Sequence, residues 1–282
     1  MSDTTTSHLQ DRVVAITGAG GGFGKLVAEM AAARGAKVVL ADIDEPAASS
    51  AAQSISDAGG HAEAVGVDVT DLAQVQAMVA RAVERFGSLD VMVNNAGIMP
   101  LAFIADHEQA YAAWDRCIDI NFKGVLNGIV ATHDQMISQG RGHVVNISSI
   151  YANAGTAGSG VYSATKAAVA TLSNSLRVES QGKIKVTIVR PTGVLGTGLA
   201  GGVVNPEAAV GIVGQHHQQY IERVMSQLGG QIDPVLADPN DIRYWAIEPE
   251  VVAEQVVHAI DQPWGVTIGD ITVRASGEDF VL

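Results

Sequence analysis

Apolar residues along the chain fall in short β-branched runs that alternate with longer stretches of helical period. Residues 12–17, 37–41, 64–67, 89–93, 143–147 and 184–189 read as strands. Between them, residues 22–34, 45–58, 72–86, 108–137 and 162–181 repeat their apolar positions three and four apart and read as helices. Strand then helix, repeated in this way, predicts an α/β fold built on a doubly wound parallel sheet, with about seven strands and helices on both faces. The near-continuous apolar strands suit a sheet covered on both sides. After Pro191 the rhythm changes. Residues 192–205 are rich in Gly and Val, 215–228 read as a helix, 229–240 as a Gly/Pro/Asp loop, 250–260 as a helix and 266–273 as a last strand. Long irregular stretches inside a compact domain are usually lids or binding loops, so residues 192–245 are expected to form a substrate lid. No repeat or linker divides the chain. Residues 12–282 are expected to form one domain behind a disordered segment at 1–11.

Composition narrows the function classes. The chain is 47% hydrophobic but only 5% aromatic, so its apolar character comes from Ala, Val, Ile and Leu. A formal net charge of −13 repels nucleic acid and anionic membrane surfaces, so neither is expected as a partner. The single cysteine, Cys117, cannot form an internal disulfide and points to a reducing compartment. The N-terminal residues lack the basic and apolar regions of a signal peptide, and no stretch is apolar enough to cross a membrane. A cytoplasmic location is the expectation. No metal site is expected. His216 and His217 are adjacent rather than spaced i, i+4, and Cys117 has no obvious partner.

Gly18, Gly20, Gly21, Gly22 and Gly24 lie between the first strand and the first helix. Glycines there let the backbone turn sharply and let a diphosphate approach the helix N-terminus. Phe23 breaks the G-x-G-x-x-G pattern, and T-G-x-x-x-G-x-G fits instead. Asp42 ends the second strand, where a carboxylate can accept hydrogen bonds from ribose hydroxyls, although a strand-end turn also favours Asp. Asp68 ends the third strand and could meet an adenine edge beside Val69; a helix-capping role explains it as well. Asn95, Ala96 and Gly97 follow the fourth strand as small residues along which a cofactor could run, or as a plain tight turn. Ligands of open α/β sheets bind beyond the carboxyl ends of the strands, and all four features fall there. Together they predict a Rossmann-like dinucleotide site.

Tyr162 and Lys166 stand four apart on one face of a helix. A free tyrosine has a pKa of about 10, too high for a base near neutrality, and a nearby ammonium favours the phenolate. These two residues, with the 17–24 loop, Asn94–Gly97, Asn121, Ser149 and the run Tyr162-Ser163-Ala164-Thr165-Lys166, resemble the compact branch of the short-chain dehydrogenase/reductase family. The likeness covers residues 12–194, and more weakly 250–274. It implies that Tyr162 exchanges the substrate proton, Lys166 assists it and holds the nicotinamide ribose, Ser149 bonds the substrate oxygen and Asn121 holds a connecting water. It also implies cofactor contacts from Ile43, Pro191, Gly193 and Val194, and a homotetramer paired through residues 108–137 and 162–181. One departure concerns residues 191–197, where Thr192 replaces the usual Gly and Thr197 stands one place late.

The implied activity is NAD-dependent interconversion of a secondary alcohol and a ketone. NAD is expected over NADP because Asp42 would repel a 2′-phosphate, and neither Gly21 nor Ile43 supplies the cation such a phosphate needs. Met99, Leu101, Phe103, Ile150, Leu195 and Leu199, with no Arg or Lys in 192–220, suggest an apolar, cyclic or aromatic substrate. Two other readings stay open: an epimerase or dehydratase of the extended branch, and a nucleotide-sensing regulator without catalysis. The length and the glycine spacing speak against the first. The intact Tyr162 and Lys166 speak against the second.

Overall fold

The computed structural model describes residues 7–282. Seven strands, β1 (Val13–Thr17), β2 (Lys37–Asp42), β3 (His61–Gly66), β4 (Val91–Asn94), β5 (Gly142–Ile147), β6 (Ile184–Pro191) and β7 (Asp270–Val273), form one sheet in the order β3-β2-β1-β4-β5-β6-β7. Every neighbouring pair is parallel. The strand order reverses between β1 and β4, which opens a crevice at their carboxyl ends. The helices are α1 (Gly22–Ala33), α2 (Glu45–Asp57), α3 (Leu72–Phe86), α4 (His107–Ile118), α5 (Gly124–Ser138), α6 (Gly160–Glu179), α7 (Val210–Val213), α8 (His217–Leu228), α9 (Pro234–Ala237) and α10 (Pro249–Ile260). On one face, α1, α2 and α10 pack through Val27, Ala31, Ala51, Ile55, Val252 and Val256. On the other, α3, α5 and α6 pack through Val75, Met78, Ile129, Met136, Val169 and Leu176. The expected Rossmann-like, doubly wound sheet is therefore the fold.

Several local boundaries differ from the pattern, and four of the differences have a clear physical cause. β3 begins at His61, not at 64, because backbone pairing with Lys37 on β2 extends this half-exposed edge strand through polar residues. The last strand begins at Asp270, not at 266. The carbonyls of Val266 and Ile268 accept from the side chains of Lys185 (2.8 Å) and Thr187 (2.7 Å) instead of pairing in the ladder. The single helix expected over 108–137 is α4 and α5 joined by a π-helical turn, Asp119–Lys123, that contains Asn121. Finally, part of the segment expected to be disordered is ordered. Leu9 is wholly buried, and Ser7 Oγ and the His8 N–H both donate to the Asp261 carboxylate. Residues 1–6 lie outside the described residues.

One buried polar chain ties the sheet to the helix that carries the site. Asn94 Nδ2 on β4 donates to Asn146 Oδ1 on β5 (2.8 Å), and Asn146 Nδ2 donates to Ser173 Oγ on α6 (2.8 Å). No helix among the described residues is long and apolar enough to cross a membrane.

Candidate active site

β1 ends at Thr17, and the chain turns at Gly18 with φ +65°, a left-handed conformation open to glycine. A Cβ on Gly24 would lie 2.3 Å from the Gly18 carbonyl oxygen, so only glycine lets α1 start this close to the strand. Gly21 and Gly22 face open space, with no atom within 4 Å of an added Cβ. Gly21 is the N-cap of α1, and among the described residues no side chain bonds the first-turn N–H groups. Unclaimed donors beneath bare glycine backbone make a cradle for a diphosphate, and on this geometry a nicotinamide dinucleotide fits the residues present. Phe23 packs its ring against the core cluster that holds Tyr244 and Ile247, so it offers the cradle only its backbone.

The other predicted contacts surround this loop. The Asp42 carboxylate accepts the Gly20 N–H (2.8 Å) and the Asp44 N–H (2.9 Å), which aims it at the mouth of the loop. Ile43 beside it is 75% exposed. Asp68 lies two residues beyond β3 rather than at its end. Its Oδ1 accepts from the N–H and hydroxyl of Thr70, while Asp71 caps α3. Val69 is buried, and its carbonyl accepts from Asn127 Nδ2 (2.8 Å). The Asn95 side chain is committed to the glycine loop: its Nδ2 donates to the carbonyls of Thr17 (2.9 Å) and Gly18 (3.1 Å). Thr17 Oγ1 in turn accepts from the N–H groups of Asn95 and Ala96. What Asn95, Ala96 and Gly97 can present to a cofactor is therefore backbone. Beyond β6, Pro191 is buried, the Gly193 carbonyl accepts from Ile247 N–H (3.1 Å), and Val194 bridges to Ile247.

Gly97 leads into the second half of the site. A Cβ there would stand 3.2 Å from Asn121 Oδ1 and 3.6 Å from Lys166 Nζ. Asn121 is pinned at both ends of its amide: Oδ1 accepts from Ile98 N–H (2.9 Å), and Nδ2 donates to Ile98 O (2.8 Å). Ser149 follows β5, and its Oγ accepts from Tyr151 N–H (3.3 Å). Its neighbour Ser148 donates instead to the Lys166 carbonyl (2.9 Å), which fixes the position of α6. Tyr162 and Lys166 are both buried in the first two turns of α6. Lys166 Nζ sits 5.8 Å from the Tyr162 ring centroid and donates to Ile147 O (2.8 Å). The fold thus brings Asn121, Ser149, Tyr162 and Lys166 to one place at the carboxyl ends of β4 and β5.

Burial governs the charges here. It pushes the Tyr162 phenol well above its ordinary value of 10, with the Ser149 hydroxyl pulling the other way. Burial also lowers Lys166 to about 8. In this ligand-free geometry desolvation is the largest influence on both groups and opposes the charged form of each.

Several residues of the site were not legible as such. Cys117 is not isolated: it accepts from Asn121 Nδ2 (3.2 Å) and lies 3.9 Å from Thr165 Oγ1. Thr192 donates to Glu278 Oε2, which explains the departure at that position as a tie to the C-terminal segment. Thr197 caps nothing and lines a cavity of about 810 Å³ together with Leu195, Ala200, Leu228, Tyr244 and Ile247. That cavity touches Val194 but none of the four clustered residues. Met99, Leu101, Phe103 and Ile150 join Tyr151 and Tyr162 in one apolar cluster. Leu199 lies apart from it on the turn Gly198–Gly202.

The model of the family described as short chain dehydrogenase matches residues 12–208. The chain belongs to the short-chain dehydrogenase family. It is 33% identical over 272 residues to an uncharacterized oxidoreductase of Staphylococcus saprophyticus, covering 95% of this chain and 98% of that protein. It is also 32% identical over 279 residues to glycine betaine reductase of Emericella nidulans, covering 99% of this chain but 20% of that longer protein. A short-chain dehydrogenase/reductase from Burkholderia phymatum, solved in complex with NAD, superposes with a TM-score of 0.74 at 28% identity, over 94% of this chain and 89% of that one. A 7α-hydroxysteroid dehydrogenase complexed with NADH and 7-oxo glycochenodeoxycholic acid superposes at 0.79 over 99% of both chains; at 23% identity this is a likeness of fold. A metagenomic short-chain oxidoreductase solved with NADP, at 26% identity, superposes at 0.71 over 95% of this chain and 98% of that one. This short-chain dehydrogenase is an oxidoreductase whose solved relatives carry either nicotinamide cofactor.

Proposed function

We propose that this short-chain dehydrogenase interconverts a secondary alcohol and a ketone with NAD, on an apolar cyclic or aromatic substrate. The observation that carries the reading is the convergence of Asn121, Ser149, Tyr162 and Lys166, all buried, beside the glycine cradle. A nicotinamide held in the glycine cradle would supply or accept the hydride. Tyr162 Oη gives a proton to the substrate oxygen in reduction and takes it back in oxidation. Ser149 Oγ holds that oxygen. Lys166 would hold the cofactor's ribose and, as the ammonium, favours the phenolate; Asn121 would keep a water in line behind it. The apolar cluster around Tyr162 excludes water from the proton transfer and suits a carbon-rich substrate. A spectrophotometric screen of alcohols and ketones near 340 nm tests the reading. Absence of turnover in either direction, with cofactor bound, favours the regulator.

NAD follows from the end of β2. The Asp42 carboxylate keeps lone pairs for ribose hydroxyls, and a 2′-phosphate would meet its charge. The nearby cations are engaged: Lys25 pairs with Glu29 (3.7 Å), and Lys37 pairs with Asp11 (3.7 Å) at the other end of the strand. A preference for NAD in kcat/KM of roughly tens-fold is expected, at about 1.4 kcal/mol per factor of ten. Asp42→Ala should erode it. A wild type that prefers NADP, or an alanine variant with unchanged selectivity, removes Asp42 from the ribose.

Two further expectations belong to the same reading. Residues 192–245 act as a lid, so amides there should exchange faster than those of the sheet and become protected when cofactor and substrate are added. Equal exchange in both states would end the lid. For assembly, Tyr111 on α4, Val130 on α5 and Val178 on α6 are exposed apolar residues on the helices expected to pair in a homotetramer. Light scattering should give four times the 29.2 kDa chain mass, and a monomer mass at working concentration would refute it.

A further inference from the structure

The segment after β7 does not run out into solvent. It folds back over the end of β6 and is tied down at four points. Gly277 N–H donates to Tyr244 O (2.8 Å), and Glu278 accepts from Thr192 Oγ1. Arg223 Nη1 on α8 bonds both oxygens of the buried Asp279 carboxylate (2.9 and 3.0 Å). Val281 N–H donates to Ile212 O (2.9 Å). Between the last two ties, this strap holds out one aromatic ring, that of Phe280.

The ring sets its Cε2–Cζ edge against the backbone that follows β6. A Cβ on Gly193 would stand 2.4 Å from Phe280 Cε2 and 2.5 Å from Cζ, so glycine at 193 is what admits it. The ring also meets Tyr220 of α8, with centroids 5.9 Å apart, and Tyr220 in turn meets Trp245 at 6.1 Å. Phe280 packs on the same apolar cluster as Tyr151, Tyr162 and Ile212, yet it is only half-buried. A half-buried ring that polar ties hold against Tyr162's own apolar cluster suits a pocket wall better than core filling.

We propose that Phe280 is a specificity-determining residue whose ring forms one wall of the substrate pocket and limits the bulk of the ketone admitted. The assignment rests on the alcohol–ketone reading of the site. Shortening the side chain opens space beside Gly193 without touching Tyr162, Ser149 or Lys166, so it should change which substrate is preferred.

The test compares cyclohexanone with the fused two-ring 2-decalone in wild type, Phe280→Ala and Phe280→Leu, each checked by thermal melting. Two readouts are taken: kcat/KM, and ketone binding followed by intrinsic tryptophan fluorescence, to which Trp245 contributes. Phe280→Ala should shift the ratio toward 2-decalone by about tenfold or more in both readouts, with Phe280→Leu between. A shifted binding ratio without turnover of either ketone leaves the wall in place and counts against the proposed reaction. Folded variants that bind both ketones with an unchanged ratio, or neither ketone bound by any of the three proteins, overturn the assignment.

Discussion

Tyr162→Phe should lower turnover by about a thousandfold or more while leaving the fold and cofactor binding in place. The ring is what packs: it stands edge-on to Tyr151 at 5.4 Å between centroids, and a phenylalanine keeps that contact. The hydroxyl is what reacts under the proposed mechanism, and positioned proton transfer contributes roughly 10²–10⁴ in rate. Because burial holds the Tyr162 phenol above its ordinary range, the base form is scarce in the ligand-free protein. Oxidation by the wild type should therefore accelerate as pH rises, and that dependence should vanish in the variant. Steady-state rates in both directions, with cofactor titrated by fluorescence, check both statements. A variant within about tenfold of wild type would remove Tyr162 from the proton transfer, since that transfer is worth at least about 10².

Lys166→Met should abolish most activity and yet make the ligand-free protein more stable at neutral pH. Burial lowers the folded-state pKa of Lys166 from 10.5 to about 8. Below about 8 the lysine is protonated in both the folded and unfolded chains, and the full cost of burying the ammonium is present. As pH rises from about 8 toward 10.5 the folded form gives up its proton first, so the cost shrinks and the stability contributed by this group rises. The shift corresponds to an upper bound of about 3 kcal/mol at neutral pH. The Ile147 carbonyl, which accepts from Lys166 Nζ, loses its donor in the variant and takes back about 1 kcal/mol or more. A melting temperature a few degrees above wild type at pH 7 is expected, with the gap closing toward pH 10. Melting curves across that range decide it. A variant less stable than wild type at pH 7, with no pH dependence in the difference, would mean that Lys166 carries no burial penalty.

Much of the architecture could be read without coordinates because it is written in near neighbours. The helix over 72–86 is the clearest case. Asp71 caps its first turn through Ala73 and Gln74 N–H, and Gly87 ends it in a left-handed conformation at φ +89°. Both signals act within a few residues of the helix they bound. The same holds for Gly18 and Gly24 and for the i, i+4 spacing of Tyr162 and Lys166. By contrast, the start of β3 depends on a partner strand, and the π turn at Asn121 is invisible in a repeat that reads as one long helix.

The alternation of strand and helix, the glycine cradle, and the residue types at the carboxyl ends of the strands were determined by the sequence alone, because each follows from periodicity or backbone chemistry within a single element. Only the tertiary structure decided what those residues touch. Asn95 spends its amide on the glycine loop rather than on a ligand, Cys117 bonds Asn121, and burial sets the protonation of Tyr162 and Lys166. Thr192 reaches Glu278, 86 positions away, and the strap that follows carries Phe280 back against Gly193. Contacts between residues so distant along the chain, and the desolvation they impose, exist only after the sheet and its two helical layers have assembled.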